Sequence, residues 1–131
     1  MIINSIEPHL LSCPLPEPVI YAFQGGQRTI YKRDAMVVRI QTDDGMTGYA
    51  PGPASIDVAK KIEKEIAPQL IGQEIFDPSH FVDDMVEKQG DAIWSAAGAV
   101  EVALFDLWGK ANQCSVTDFQ NPSKRALHEL A

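Results

Sequence analysis

The sequence predicts an α+β domain in which a three-stranded antiparallel meander precedes a helical bundle. Three observations carry this. Alternating or β-branched stretches occur only before Pro51, helical periodicity takes over after Pro53, and Asp91 to Asn112 is a proline-free, Ala- and Leu-rich run. With 131 residues, 45% of them hydrophobic and 22% charged, the chain has enough apolar material for one core, and it shows no internal repeat or linker. Residues 1–114 are therefore read as one domain, and residues 115–131 as an atypical C-terminal tail.

The first strand starts at Ile2 and is expected to fade toward Cys13, because Pro8 loosens the pattern and Pro14, Pro16 and Pro18 stiffen the next segment. Val19 to Tyr31 reads as a long loop holding Tyr21, Phe23, the Gly25-Gly26 pair and Arg28. Loops of that length serve either as binding loops or lids, or as excursions whose aromatics pack back on their own core. Ala35 to Gln41 is a β-branched strand, Thr42-Asp43-Asp44-Gly45 a turn, and Met46 to Ala50 the returning partner. The two aspartates lack the further ligands and closing Glu of a calcium loop. Pro51-Gly52-Pro53 ends the hairpin in a second, shorter loop with Tyr49 near its entrance.

Ser55 is a suitable N-cap for a helix carrying Ile56, Ala59, Ile62 and Ile66 on one side. Pro68 disturbs the end of this helix, and Gly72 stops the segment after it. Asp77-Pro78 opens a short helix with Phe81, Val82, Met85 and Val86 as its apolar edge, and Gly90-Asp91 separates it from the long helix. In Asp91 to Asn112, Ile93, Ala96, Ala97, Val100, Ala103, Leu104, Leu107, Trp108 and Ala111 share one stripe. Trp94, Gly98, Val102, Phe105 and Gly109 form a second stripe behind it. A helix apolar on two sides needs two partners, so Trp94, Val102 and Phe105 are expected at an interface. In the tail, residues 114–120 have no clear period, and Asn121-Pro122 can cap one further short helix through Leu127 and Leu130.

A net charge of −7, from 18 acidic and 11 basic residues, excludes a phosphate-neutralising surface, so no nucleic-acid partner is expected. The N-terminus lacks a basic leader, and no apolar run is expected to approach the ~18 residues of a membrane span, so a cytoplasmic location without a membrane partner is the default. Cys13 and Cys114, far apart, read as reduced structural cysteines. Phosphate loops, dinucleotide fingerprints, nucleophile elbows and H-E-x-x-H are all absent. His9, His80 and His128 are scattered, and His80 with Asp83 and Asp84 diverges around a helix rather than converging on a metal. Asp106 and Lys110 form an i,i+4 pair, while Glu101 and Asp106 diverge. The residues alone describe a soluble α+β domain without an evident active site.

The order of meander, aromatic loop and helices ending in A-A-G-A-V-E-V-A-L-F-D-L-W-G-K-A-N resembles the N-terminal capping domain of the enolase superfamily, in its mandelate racemase and muconate lactonizing enzyme branch. The resemblance covers roughly Met1 to Cys114. It is sharpest over Ala97 to Ala111, which is similar to the branch's small-x-x-x-[EDN]-x-A-L-x-D-x-x-G-K-A pattern. It implies a following (β/α)-barrel that carries the catalytic lysines or histidine and the carboxylates for Mg²⁺, with removal of the proton α to a carboxylate as its chemistry. Leu15 to Tyr31 and Tyr49 to Ile56 would be the two capping loops. Tyr21, Phe23, Arg28, Tyr31 and Tyr49 would then be substrate-facing lid residues, with no catalytic residue, metal ligand or cofactor in this chain. The expected partners are a barrel domain or another copy of the chain in a homo-oligomer. The chain is thus read as a capping domain separated from its barrel by truncation or a changed reading frame, and inactive alone. The alternatives are a stand-alone binding or oligomerisation module derived from that fold, and an unrelated α+β binding domain.

Overall fold

The structure, a computed structural model, describes residues 1–120, with the side chains of residues 119 and 120 left out. Three strands, β1 (Ile3–Phe23), β2 (Gly26–Thr42) and β3 (Thr47–Gly52), form one antiparallel sheet in the order β1-β2-β3. The helices come after them: α1 (Ile56–Lys61), a π turn (Ile62–Ile66), α2 (Ala67–Leu70), α3 (Phe81–Gln89), a 3₁₀ turn (Asp91–Ile93), α4 (Trp94–Ala111) and α5 (Val116–Gln120). The expected meander and helices are both present.

The largest departure lies in the first strand. The segment read as a proline-stiffened stretch and a loop is continuous strand: β1 and β2 pair out to Phe23 and Gly26 and close through Gln24 and Gly25. One irregularity interrupts them, between the Pro14–Lys32 and Val19–Ile30 pairs, where residues 15–18 stand against Tyr31. The prolines do not break β1 because it is an edge strand. A ring nitrogen at Pro8 or Pro14 that faces away from β2 forfeits no ladder bond. Pro51 sits equivalently on the other edge, paired with Val37, so β3 runs on to Gly52 instead of ending at Pro51. Prolines on both edges also discourage pairing with further strands.

One sheet face builds the core. Ile6, Met36, Val38, Ile40 and Ala50 are buried against Ile62, Ile66, Val100, Leu104 and Leu107. α4 lies beside β3, and it approaches so closely that only glycine fits at position 48. A Cβ there would overlap the Ala103 carbonyl oxygen and lie 2.9 Å from Leu107 Cβ. The helical run Asp91–Ala111, the 3₁₀ turn together with α4, is long and apolar enough to cross a membrane by length and composition, contrary to expectation. It is nevertheless a core helix: in its first stripe Ile93, Ala96, Ala97, Val100, Ala103, Leu104 and Leu107 are buried by the domain itself, and only Trp108 and Ala111, at the C-terminal end, are half-buried.

The caps agree with the sequence, with two corrections. The Ser55 hydroxyl accepts from Val58 N–H at 3.3 Å, as expected of an N-cap. Before Pro68 the helix widens into the π turn, where Ala67 N–H reaches back to the Ile62 carbonyl; this makes room for a ring that cannot donate. Asp77 does not start α3. Its carboxylate accepts from the Ser79 N–H and hydroxyl in a tight local turn, and the helix begins one turn later at Phe81. Glu101 of α4 then accepts from Val82 N–H at 3.2 Å, capping α3 from outside. The tail stretch 116–120, expected to lack periodicity, forms α5, with Asp118 N–H donating to the Ser115 hydroxyl. The helix expected through Leu127 and Leu130 lies outside the described residues.

Candidate functional site

Beyond its pairing with β3 at Met36, β2 continues with only β1 beside it, over residues 26–35. At about 3.3 Å per residue this makes an arm roughly 30 Å long that leaves the core behind. Its exposed side chains are unusually apolar. Val19, Ile20, Tyr21, Phe23 and Tyr31 are all exposed, and Ile20 and Tyr31 reach 67%. So Tyr21, Phe23, Arg28 and Tyr31 belong to a hydrogen-bonded ribbon and not to a loop.

Strand alternation divides these residues between two faces. Even positions of β2 share the face of the buried Met36, Val38 and Ile40, which places Arg28, with its partner Tyr21, and Phe23 on the helix side. Tyr31 falls on the opposite side, as does Tyr49, which pairs with Arg39. The five residues expected to act together thus point to two sides of one sheet.

Tyr49 is held firmly at the sheet's edge. Its backbone N–H donates to Asp106 at 2.9 Å, and Lys110 bonds the same carboxylate at 2.8 Å and the Thr47 carbonyl at 2.9 Å. The Lys110 ammonium also lies 5.4 Å from the Tyr49 ring centroid. The i,i+4 pair is therefore present and does more than brace its own helix: it pins β3 to α4. Sequence spacing revealed the pair but not its third partner, which is 57 residues distant from Asp106.

Beside Tyr49, an open depression of about 480 Å³ is lined by Glu101, Val102, Phe105, Asp106 and Val116. A second one, about 290 Å³, continues along α4 past Val102 to Gly98 and Trp94, with Pro51 and Pro53 opposite. Trp94 is 60% and Val102 50% exposed, whereas Phe105 is half-buried. Only Gly109 of the second stripe is fully buried, under the Cys114 carbonyl.

Ionisable groups are engaged locally. Arg39 bonds Glu7 at 2.7 Å and holds its carboxyl below the usual range, with His9 3.1 Å away on the same carboxylate. The Thr42 hydroxyl lowers Asp44 in the β2–β3 turn, and the Ser12 hydroxyl lowers Asp34. Among the described residues no three His, Cys, Asp or Glu side chains converge to hold a metal ion. Cys13 and Cys114 are unbridged, and Cys13 is exposed on the ribbon, so it is not the structural cysteine expected.

The arrangement of meander, long α4 and projecting ribbon matches the family model for the mandelate racemase / muconate lactonizing enzyme N-terminal domain over residues 11–119. The chain belongs to that family. Its relatives include the L-Ala-D/L-Glu epimerase of Bacillus subtilis, 27% identical over 128 residues, which covers 92% of this chain and 33% of the epimerase. The chloromuconate cycloisomerase of Cupriavidus pinatubonensis is 30% identical over 141 residues, covering 100% of this chain and 36% of the cycloisomerase. Among solved structures, the substrate-liganded Bacillus subtilis epimerase superposes with a TM-score of 0.63 at 29% identity, covering 85% of this chain and 32% of that one. The 3,6-anhydro-D-galactonate cycloisomerase of Zobellia galactanivorans gives 0.64 at 25% identity, with coverage of 85% and 29%. The chain therefore spans about a third of the length of these relatives and corresponds to their N-terminal domain.

Proposed function

We propose that this domain caps a catalytic barrel of the racemase, epimerase and cycloisomerase type, shaping substrate access without supplying a proton-transfer group. The observation that carries this reading is the uncovered second stripe of α4. The domain completes its own core on the first stripe, yet leaves Trp94 and Val102 in solvent beside grooves that Tyr49, Phe105 and Val116 extend. Burying side chains of that size is worth roughly 1.5–3 kcal/mol each, which favours docking on another apolar surface. The helix-side face of the ribbon tip, with Tyr21, Phe23 and Arg28, would close over the barrel mouth.

The chemistry proposed for the whole enzyme is removal of a proton α to a carboxylate, with Mg²⁺ stabilising the enediolate. The described residues offer that ion no seat, so its ligands would come from the barrel. The 131-residue chain alone should then give no α-proton exchange with Mg²⁺ on amino-acid or hydroxy-acid substrates; turnover would overturn the reading.

Joining this chain to the barrel of the Bacillus subtilis epimerase tests the capping role directly. Phe105→Asp should uncouple the two domains, seen as separate thermal transitions, while the isolated domain keeps its own melting temperature. Tyr21→Ala and Phe23→Ala should change KM or kcat/KM in the joined protein without changing its stability. If Phe105→Asp unfolds the isolated domain, Phe105 belongs to the core and the docking face is wrongly placed.

A further inference from the structure

The groove along α4 is open, and the chain's own next segment leaves from one end of it. The two depressions beside α4 meet at Val102 and make one channel, from Val116 at the start of α5 to Trp94, with Tyr49, Pro51 and Pro53 as the opposite wall. Val102 and Trp94 form its apolar floor, both exposed. Of its two carboxylates, Asp106 is held by Lys110, while Glu101 bonds Val82 N–H and, among the described residues, meets no cation.

We propose that residues 121–131, which follow α5 and lie outside the described residues, occupy this channel as a short amphipathic helix antiparallel to α4. The inference draws on the groove and the tail sequence, and does not depend on the capping reading. The lengths match: at about 1.5 Å per residue, a helix over 122–131 spans ~15 Å, and α4 between positions 94 and 105 spans ~16 Å. The pattern suits an apolar floor. With Asn121 as N-cap and Pro122 as first helical residue, Ala126, Leu127, Leu130 and Ala131 share one side, and Arg125 and Glu129 take the other. The direction follows from the chain path. A segment continuing from α5 enters the channel beside Phe105 and Val116 and runs toward Trp94, as helices joined by a short connection run antiparallel. Leu127 and Leu130 then lie over Val102 and Trp94, an amphipathic helix in a groove. Lys124, on the flank of the apolar side one turn before Leu127, comes beside Glu101 and supplies the cation that this carboxylate lacks. The tail thus fills the stripe that a barrel would take, and the two compete for α4.

Hydrogen exchange of the 131-residue chain, read by mass spectrometry on peptides from 121–131, tests the proposal. The tail amides should exchange about tenfold or more slowly than in the Leu127→Asp, Leu130→Asp double variant, while the melting transition of the domain is retained. Val102→Lys, at an exposed position, should release the tail equally, and Ile20→Lys on the ribbon should leave it protected. Tail amides that exchange in the wild type as fast as in the double variant overturn the proposal. So does protection that survives Val102→Lys, which would place the tail elsewhere, or protection that disappears on dilution, which would assign the groove to a second copy. Docking to the barrel is read separately by the thermal transitions of the joined protein, and it can fail while the tail of the isolated chain stays protected.

Discussion

Replacing Gly48 with alanine should loosen the contact on which the whole domain is assembled. The new Cβ would overlap the Ala103 carbonyl oxygen and come within 2.9 Å of Leu107 Cβ and 3.0 Å of Leu107 N. None of these is the free end of a flexible chain, so either α4 or β3 must move as a unit. Overpacking of this kind costs about 1–3 kcal/mol. The displacement also strains two bonds that cross the same seam, Tyr49 N–H to Asp106 and Lys110 to the Thr47 carbonyl, both 2.9 Å. At a net ~0.5–1.5 kcal/mol each, their loss would bring the total to roughly 2–6 kcal/mol. Typical domain stability is about 5–15 kcal/mol, so the variant should remain folded but melt about 10 °C lower. Gly98→Ala on the same helix is the control. A Cβ there meets nothing within 4 Å, and an alanine in a helix interior is favoured over glycine by about 0.5–1 kcal/mol, so its melting temperature should rise. The assay is thermal denaturation monitored by circular dichroism. If Gly48→Ala melts with the wild type, the close approach of α4 to β3 is not what holds the sheet.

Caps and charges give two further expected outcomes. Ser55→Ala removes the acceptor for Val58 N–H and should lower stability by about 1 kcal/mol in urea denaturation, whereas Ser55→Asp should retain most of it. Glu7, held below its ordinary value of 4.5 by Arg39, contributes stability at neutral pH that is lost as pH falls through its lowered folded value. Glu7→Gln should therefore flatten the acid side of the stability–pH curve, measured by urea denaturation between pH 2 and 6 (about the range in which carboxylates titrate), while leaving its alkaline side unchanged.

Much of the fold is written locally. The Ser55 cap, the Gly45 turn, the apolar period of Asp91 to Asn112 and the i,i+4 spacing of Asp106 and Lys110 each depend on residues within a turn or two of one another. Such signals survive in a linear reading. The ribbon was not legible because a proline's effect on a strand depends on what lies beside it. Pro8 and Pro14 break a central strand but suit an edge, and only the pairing order β1-β2-β3 makes β1 an edge. The Asp77 turn misled for a related reason, since the neighbouring Ser79 took the carboxylate that would otherwise have capped α3. The candidate site depended still more on the third dimension. Tyr21 and Tyr31 both read as lid aromatics, but the pairing register assigns them to opposite faces, and Tyr49 is positioned by a carboxylate 57 residues away. Residue type and period alone determined which side chains are apolar and which elements they build; which of those side chains remain uncovered was decided by the docking of α4 against β3, because burial belongs to pairs of surfaces.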